Sequence, residues 1–313
     1  MVTLRRYLFL VLVVCTALAV GIALGGGVLQ GRLAAQEQTD SSRTTELSQT
    51  VASLRSAQLF DDAMSAATSP QILPDRLAGR TVALLVLPEV AESTVVAVTG
   101  ALAQAGGTVT VTAHLSPDLI NPAKKTYVDS LADSSLKGRD ALARAAGAGT
   151  YERISALIAR AYVGSGAETD FDAEAADIHA ELRGSRLVST QEDPLRRGAL
   201  VLVLAPEASA SSELTTASNL ISTQLVRTLA AAGDGALVAG PPSSSSPGGL
   251  LRELTKIRQV EAEPLSTLNV IDSPSGRLAA VYALGAIADG QPGHYGTSTS
   301  GVLLPPGLAP VAD

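Results

Sequence analysis

Side chains able to do chemistry are sparse in this 313-residue chain, which has 3 histidines and 1 cysteine. Cys15 lies inside an uncharged apolar run, so the chain beyond that run has no thiol for a disulfide, a thiolate copper site or a cysteine zinc site. Hydrolytic triads need a histidine beside a nucleophile and a carboxylate, yet no G-x-S-x-G elbow accompanies His114, His179 or His294. The chain therefore reads as a non-enzyme. His114 closes an apolar, β-branched stretch and reads as structural.

Two segments invite a search for metal ligands. Glu168, Asp170, Asp172, Glu174, Asp177 and Glu181 surround His179 with no cation between them. At helical spacing, however, His179 stacks over Ala175 and Ala176, while Glu174, Asp177 and Glu181 share a different face. A solvated acidic face is the expectation. The second segment is Gln291-Pro292-Gly293-His294-Tyr295-Gly296, whose flanking glycines free the backbone for a turn that presents His294 and Tyr295 outward. His294 is then a candidate metal ligand and Tyr295 a candidate partner or ligand contact. A single imidazole does not hold a metal alone, and the alternative is a structural turn with Tyr295 packed on the domain.

The elements that must position these groups begin with Tyr7 to Leu29, uncharged and apolar, behind Arg5-Arg6. As a helix it measures roughly 35 Å at about 1.5 Å per residue, enough for a bilayer core of about 30 Å. The arginine pair places the N-terminus in the cytoplasm and the rest of the chain outside it. A cleaved signal peptide ending near Ala17-Leu18-Ala19 is the alternative, and it exports the same residues. No other uncharged run reaches spanning length. An aromatic content of 3% with no Trp argues against the aromatic girdles of a transmembrane barrel, and a net charge of −7 argues against nucleic acid.

Residues 30–69 read as a helical stalk. Leu33, Leu47 and Leu54 share one heptad position, with Asp40 at the missing step and Val51 on the companion seam, which makes a weak coiled coil and homo-oligomerisation an expectation. A lone helix is the alternative. Ser69-Pro70 is expected to break the helix.

Residues 70–296 read as one α/β domain on a parallel, Rossmann- or flavodoxin-like sheet. Thr81 to Leu87 is a continuous apolar run, as a strand buried on both faces requires. Val90 to Ala105 has helical periodicity, Gly106-Gly107 ends it, and Thr108 to Leu115 supplies the next strand. The unit recurs: Val82 to Glu89 aligns without gaps with Leu200 to Glu207, each ending Pro-Glu. In the second copy Leu214, Ala217, Ile221, Leu225 and Leu229 mark a buried helical face before the strand Ala236 to Ala239. Further helices are expected within Asn121 to Arg183, at Gly248 to Ile257 and at Gly276 to Ala288, with a short strand at Leu268 to Ile271. Residues 297–313 read as a flexible tail. The Pro-Glu turns lack the close-packed glycines of a pyrophosphate site, so no nucleotide is expected.

Several segments, in this order, resemble the MctB family of copper transport proteins of the actinobacterial envelope. They are Leu4-Arg5-Arg6 leading into Ala19 to Gly25, the strand Gly79 to Ala83, Gly235 to Gly240, Ile271-Asp272-Ser273-Pro274-Ser275-Gly276-Arg277, and Gly293-His294-Tyr295-Gly296. The resemblance implies copper efflux or resistance at the envelope, described as channel formation in an outer membrane, with copper as the transported ion. The residues themselves support export and anchoring, with few copper ligands and no pore. A non-catalytic envelope scaffold, oligomerising through its stalk and docking partner proteins, is the other reading.

Overall fold

The structure, a computed structural model, describes residues 2–166, 168–256, 263–297 and 301–308; of these, residues 2–8, 23–42 and 44 are described in backbone alone. The chain divides into two compact units, Met1–Asp61 and Asp62–Asp313.

Helix α1 covers Val2–Ile72. The span expected at Tyr7 to Leu29 has described side chains only at Phe9 to Ile22, and its remainder lies outside them, as do the side chains of Leu33 and Asp40. Among the described residues no helix is long and apolar enough to cross a membrane. Phe9, Leu10, Leu12, Leu18 and Ile22 are exposed, and so are Leu47, Val51 and Leu54 of the heptad seam. The break expected at Ser69-Pro70 falls later, since Pro70 lies inside the helix. In a final turn proline forfeits one ladder bond, and Ser69 reinforces the turn by donating its hydroxyl to the Ser65 carbonyl at 2.6 Å.

The second unit is α/β. After β1 (Thr81–Val86), α2 (Glu92–Gln104) and β2 (Thr108–Leu115) come the short helices α3 (Pro117–Ile120), α4 (Lys125–Leu136) and α5 (Asp140–Ala146). Helices α6 (Thr150–Tyr162) and α7 (Ala173–Gly184) lead to β3 (Val188–Thr190) and β4 (Leu200–Leu204). The chain continues with α8 (Glu213–Ala232), β5 (Gly235–Ala239), α9 (Leu250–Thr255), β6 (Leu265–Leu268), α10 (Pro274–Ala288) and β7 (His294–Tyr295). One seven-stranded sheet results, in the order β3-β2-β1-β4-β5-β6-β7. All pairs are parallel except β2 with β3, an arrangement consistent with a Rossmann-like sheet.

The two copies of the repeated unit sit side by side. β1 and β4 pair in the register Val82↔Leu200 through Val86↔Leu204, the same register as the gapless sequence alignment. Period-two alternation then sends Ala83, Leu85 and Leu87 into one apolar cluster and Val82, Leu84 and Val86 into the other. The first cluster is completed by α4, α6, α8 and α9, the second by α2 and α10. The face expected for α8 is buried at Ile221, Leu225 and Leu229 and half-buried at Ala217, while Leu214, in the first turn, is 58% exposed. The strand expected at Leu268 to Ile271 lies earlier, at Leu265–Leu268. Past Gly296, where a flexible tail is the expectation, Val302 bridges to Tyr295 and Leu308 packs against the second cluster.

Candidate functional site

Strands β5, β6 and β7 end together at the carboxyl edge of the sheet, where open α/β folds place their ligands. The Gln291 to Gly296 motif is built into this edge by hydrogen bonds to β6. The Gly293 N–H donates to Ser266 Oγ at 2.9 Å, and the Thr267 N–H donates to the Gly293 carbonyl at 3.1 Å. Thr267 Oγ1 and His294 Nδ1 lie 2.9 Å apart. Two buried hydroxyl residues in a strand thus gain partners only because the loop closes over them.

The glycines of the motif have steric reasons. A Cβ on Gly293 would stand 2.5 Å from the Tyr295 hydroxyl oxygen. Gly296 has φ of 111°, and a Cβ there would stand 1.9 Å from Asn269 Oδ1. Tyr295 turns inward, as in the structural turn the sequence also allows, while His294 stays half-buried. Tyr295 is 5% exposed and joins the second apolar cluster, and burial raises the pKa of its phenol above the ordinary value. It also borders a cleft of about 390 Å³ lined by Ser246, Arg252, Lys256, Thr267 and Asn269, among others. His294 does not line that cleft. No group of three or more His, Cys, Asp or Glu side chains able to hold a metal occurs among the described residues.

His114 is the penultimate residue of β2, opposite Ser189 of β3. His179 is 5% exposed and sits edge-on to Tyr162 and Phe171. Its Nδ1 is 2.9 Å from the Tyr162 hydroxyl and its Nε2 is 3.3 Å from Asp193 Oδ1, which also accepts from Arg183 at 2.5 Å. Burial raises the pKa of the Tyr162 phenol.

Of the acids around His179, Glu168, Asp170 and Asp177 are exposed as a solvated face requires, whereas Asp172, Glu174 and Glu181 are tied to arginines. Arg139 forms a two-pronged bond with Glu181, at 3.0 Å each, and lies 4.0 Å from Glu174. Arg160 reaches Asp172 at 2.7 Å and Glu174 at 2.8 Å. Asp172, which also caps α7 by accepting from the Ala175 N–H, is held below the ordinary carboxylate range mainly by its bond from Arg160. At Glu181 burial opposes ionisation, but the bonds from Arg139 and Ser135 outweigh it and lower the pKa.

A second crevice, of about 320 Å³, opens outside β1 and β4, where the direction of strand progression reverses. The two Pro-Glu turns meet there, and Glu89 takes a φ of 70°.

Fold and sites define an α/β domain following a long N-terminal helix, an architecture that by itself specifies no chemistry. Residues 1–306 match the family described as "Copper transport outer membrane protein, MctB", and the chain belongs to that family. It is similar to the proteins named "Copper transporter MctB" of Mycobacterium tuberculosis and Mycobacterium bovis. Each is 24% identical over 307 residues, covering 95% of this chain and 96% of the relative.

Proposed function

We propose that this protein serves copper transport at the cell envelope, contributing to copper efflux and resistance. The observation that carries this reading is the family match over residues 1–306, with relatives whose names specify copper transport. In this reading α1 is a single-pass anchor. Phe9, Leu10, Leu12, Leu18 and Ile22 expose apolar side chains around the helix, a surface that gains free energy from lipid and loses it in water. Arg5-Arg6 keeps the N-terminus in the cytoplasm, and the α/β domain faces the other side.

Copper is cargo in this scheme, and the domain is non-catalytic. His294 offers one imidazole near the sheet edge, and any copper contact there needs donors from outside the domain. Loss of the protein should make cells copper-sensitive, with the chain restoring growth from a plasmid. Equal growth of deletion and parent strains across a copper series would remove the proposal.

A second reading, an envelope scaffold, is favoured by a different observation. Leu47, Val51 and Leu54 stand exposed at heptad-related positions of α1, as in a seam awaiting a second helix. Cross-linking of the full chain should capture a homo-oligomer that Leu47→Lys with Leu54→Lys abolishes. A monomer at all concentrations would end this reading.

A further inference from the structure

The cleft at the ends of β6 and β7 has a chemistry opposite to that of a copper site. Arg252 and Lys256, one helical turn apart on and just past α9, both line it. Lys256 is paired with Glu253 at 2.6 Å, whereas the exposed Arg252 guanidinium has no hydrogen bond or ion pair among the described residues. Among the described residues no carboxylate lines the cleft. The remaining wall is mainly hydroxyl and amide, with Pro242 and the Tyr295 ring beside them.

Asn269 gives the second, independent observation. It is 3% exposed, and its Oδ1 is occupied by the Thr297 N–H at 2.8 Å. That bond fixes which end of the carboxamide is oxygen. The Nδ2 amide donates to no described group, although the side chain lines the cleft. An acceptor oxygen in the cleft would give this amide the partner it lacks among the described residues. The Gly293 and Gly296 constraints hold Tyr295 and Asn269 in place beside it, so the wall is preformed.

We infer that this cleft binds a small oxyanion of the phosphate type, with Arg252 and Lys256 supplying charge and Asn269 Nδ2 an amide donor at the cleft wall. Guanidinium, ammonium, amide and the Ser246 hydroxyl supply donors from several directions, which suits a tetrahedral anion with many acceptor oxygens. The site is independent of the copper reading. The same chemistry serves free phosphate or a phosphate ester, and the cleft volume has room for the ester.

Binding to the full chain in zwitterionic detergent is measured by calorimetry, with inorganic phosphate in one arm and glycerol phosphate in the other, at constant chloride. Saturable binding in either arm is expected: phosphate alone indicates the free ion, and glycerol phosphate alone an esterified ligand. Asn269→Asp keeps the acceptor for Thr297 but replaces the donor with a negative oxygen. It should weaken binding by at least about tenfold, and so should Arg252→Gln, a surface change that does not endanger folding. Arg80→Gln, at the opposite edge of the sheet, should change nothing. Absence of saturable binding in both arms, or affinities that Arg252→Gln leaves within about twofold, would overturn the proposal.

Discussion

Two glycines of α10 should respond to the same substitution with opposite signs. A Cβ on Gly276 would stand 1.5 Å from the Val270 carbonyl oxygen and 2.4 Å from its carbon. Nonbonded carbon and oxygen need roughly 3.3 Å, so the start of α10 or the Val270 peptide must move by nearly 2 Å. The peptide is not free to move, because the Ser273 hydroxyl donates to that carbonyl at 3.0 Å and also caps α10 by accepting from the Gly276 N–H at 3.0 Å. Overpacking of this kind costs about 1–3 kcal/mol, and loss of the serine cap adds about 1 kcal/mol. Gly276→Ala should therefore destabilise by about 2–4 kcal/mol. Gly285, in the same helix, has its nearest obstacle at 3.9 Å, the Arg76 carbonyl. There Ala should gain about 0.5–1 kcal/mol from helix propensity. Urea denaturation followed by tyrosine fluorescence reads both variants. A Gly276→Ala protein within about 1 kcal/mol of the parent, or less affected than Gly285→Ala, would refute the packing assigned to this helix.

Other outcomes follow from the ionic and buried polar groups. Asp129, Asp172 and Glu181 all have lowered pKa values, owing first to the hydrogen bonds from Thr150 and Arg160 at the two aspartates, and at Glu181 to bonds that outweigh burial. A carboxyl with a depressed folded pKa contributes stability above its unfolded value and loses it as pH falls through the folded one. The melting temperature should therefore fall on acidification from about pH 5 to pH 3, with a shallower slope in Arg160→Gln; identical slopes would contradict the assignment. Tyr162→Phe leaves His179 Nδ1 without its buried partner and should cost about 1–3 kcal/mol, and an unchanged urea midpoint would show that the hydroxyl bond contributes nothing.

Much of the sheet is legible in the sequence because buried parallel strands leave a simple trace. Val82 to Val86 and Leu200 to Leu204 are uninterrupted apolar runs, and their repeat gives the actual pairing register. β6 is less visible: Ser266 and Thr267 break the apolar pattern, and their burial depends on bonds from Gly293 and with His294, residues distant in sequence. β3 and β7 have only three and two residues, too few for periodicity. Asp172, Glu174 and Glu181 look solvated because their cations lie elsewhere in the chain, Arg160 in α6 and Arg139 in the turn before α5. At the cleft, Tyr295 carries a sequence signal in its flanking glycines, whereas Arg252 and Asn269 join it only through the crossover from α9 to β6. An isolated asparagine gives no sign in sequence that its amide will line a cleft.

The central claim, the proposed role in copper efflux and resistance, is tested most directly by cell-associated copper. A deletion strain and its complemented counterpart would be grown in a graded copper series and assayed by mass spectrometry alongside growth. The account predicts higher copper content and earlier growth arrest in the deletion strain, both reversed by the intact chain. Equal copper content in the two strains at every concentration would contradict it.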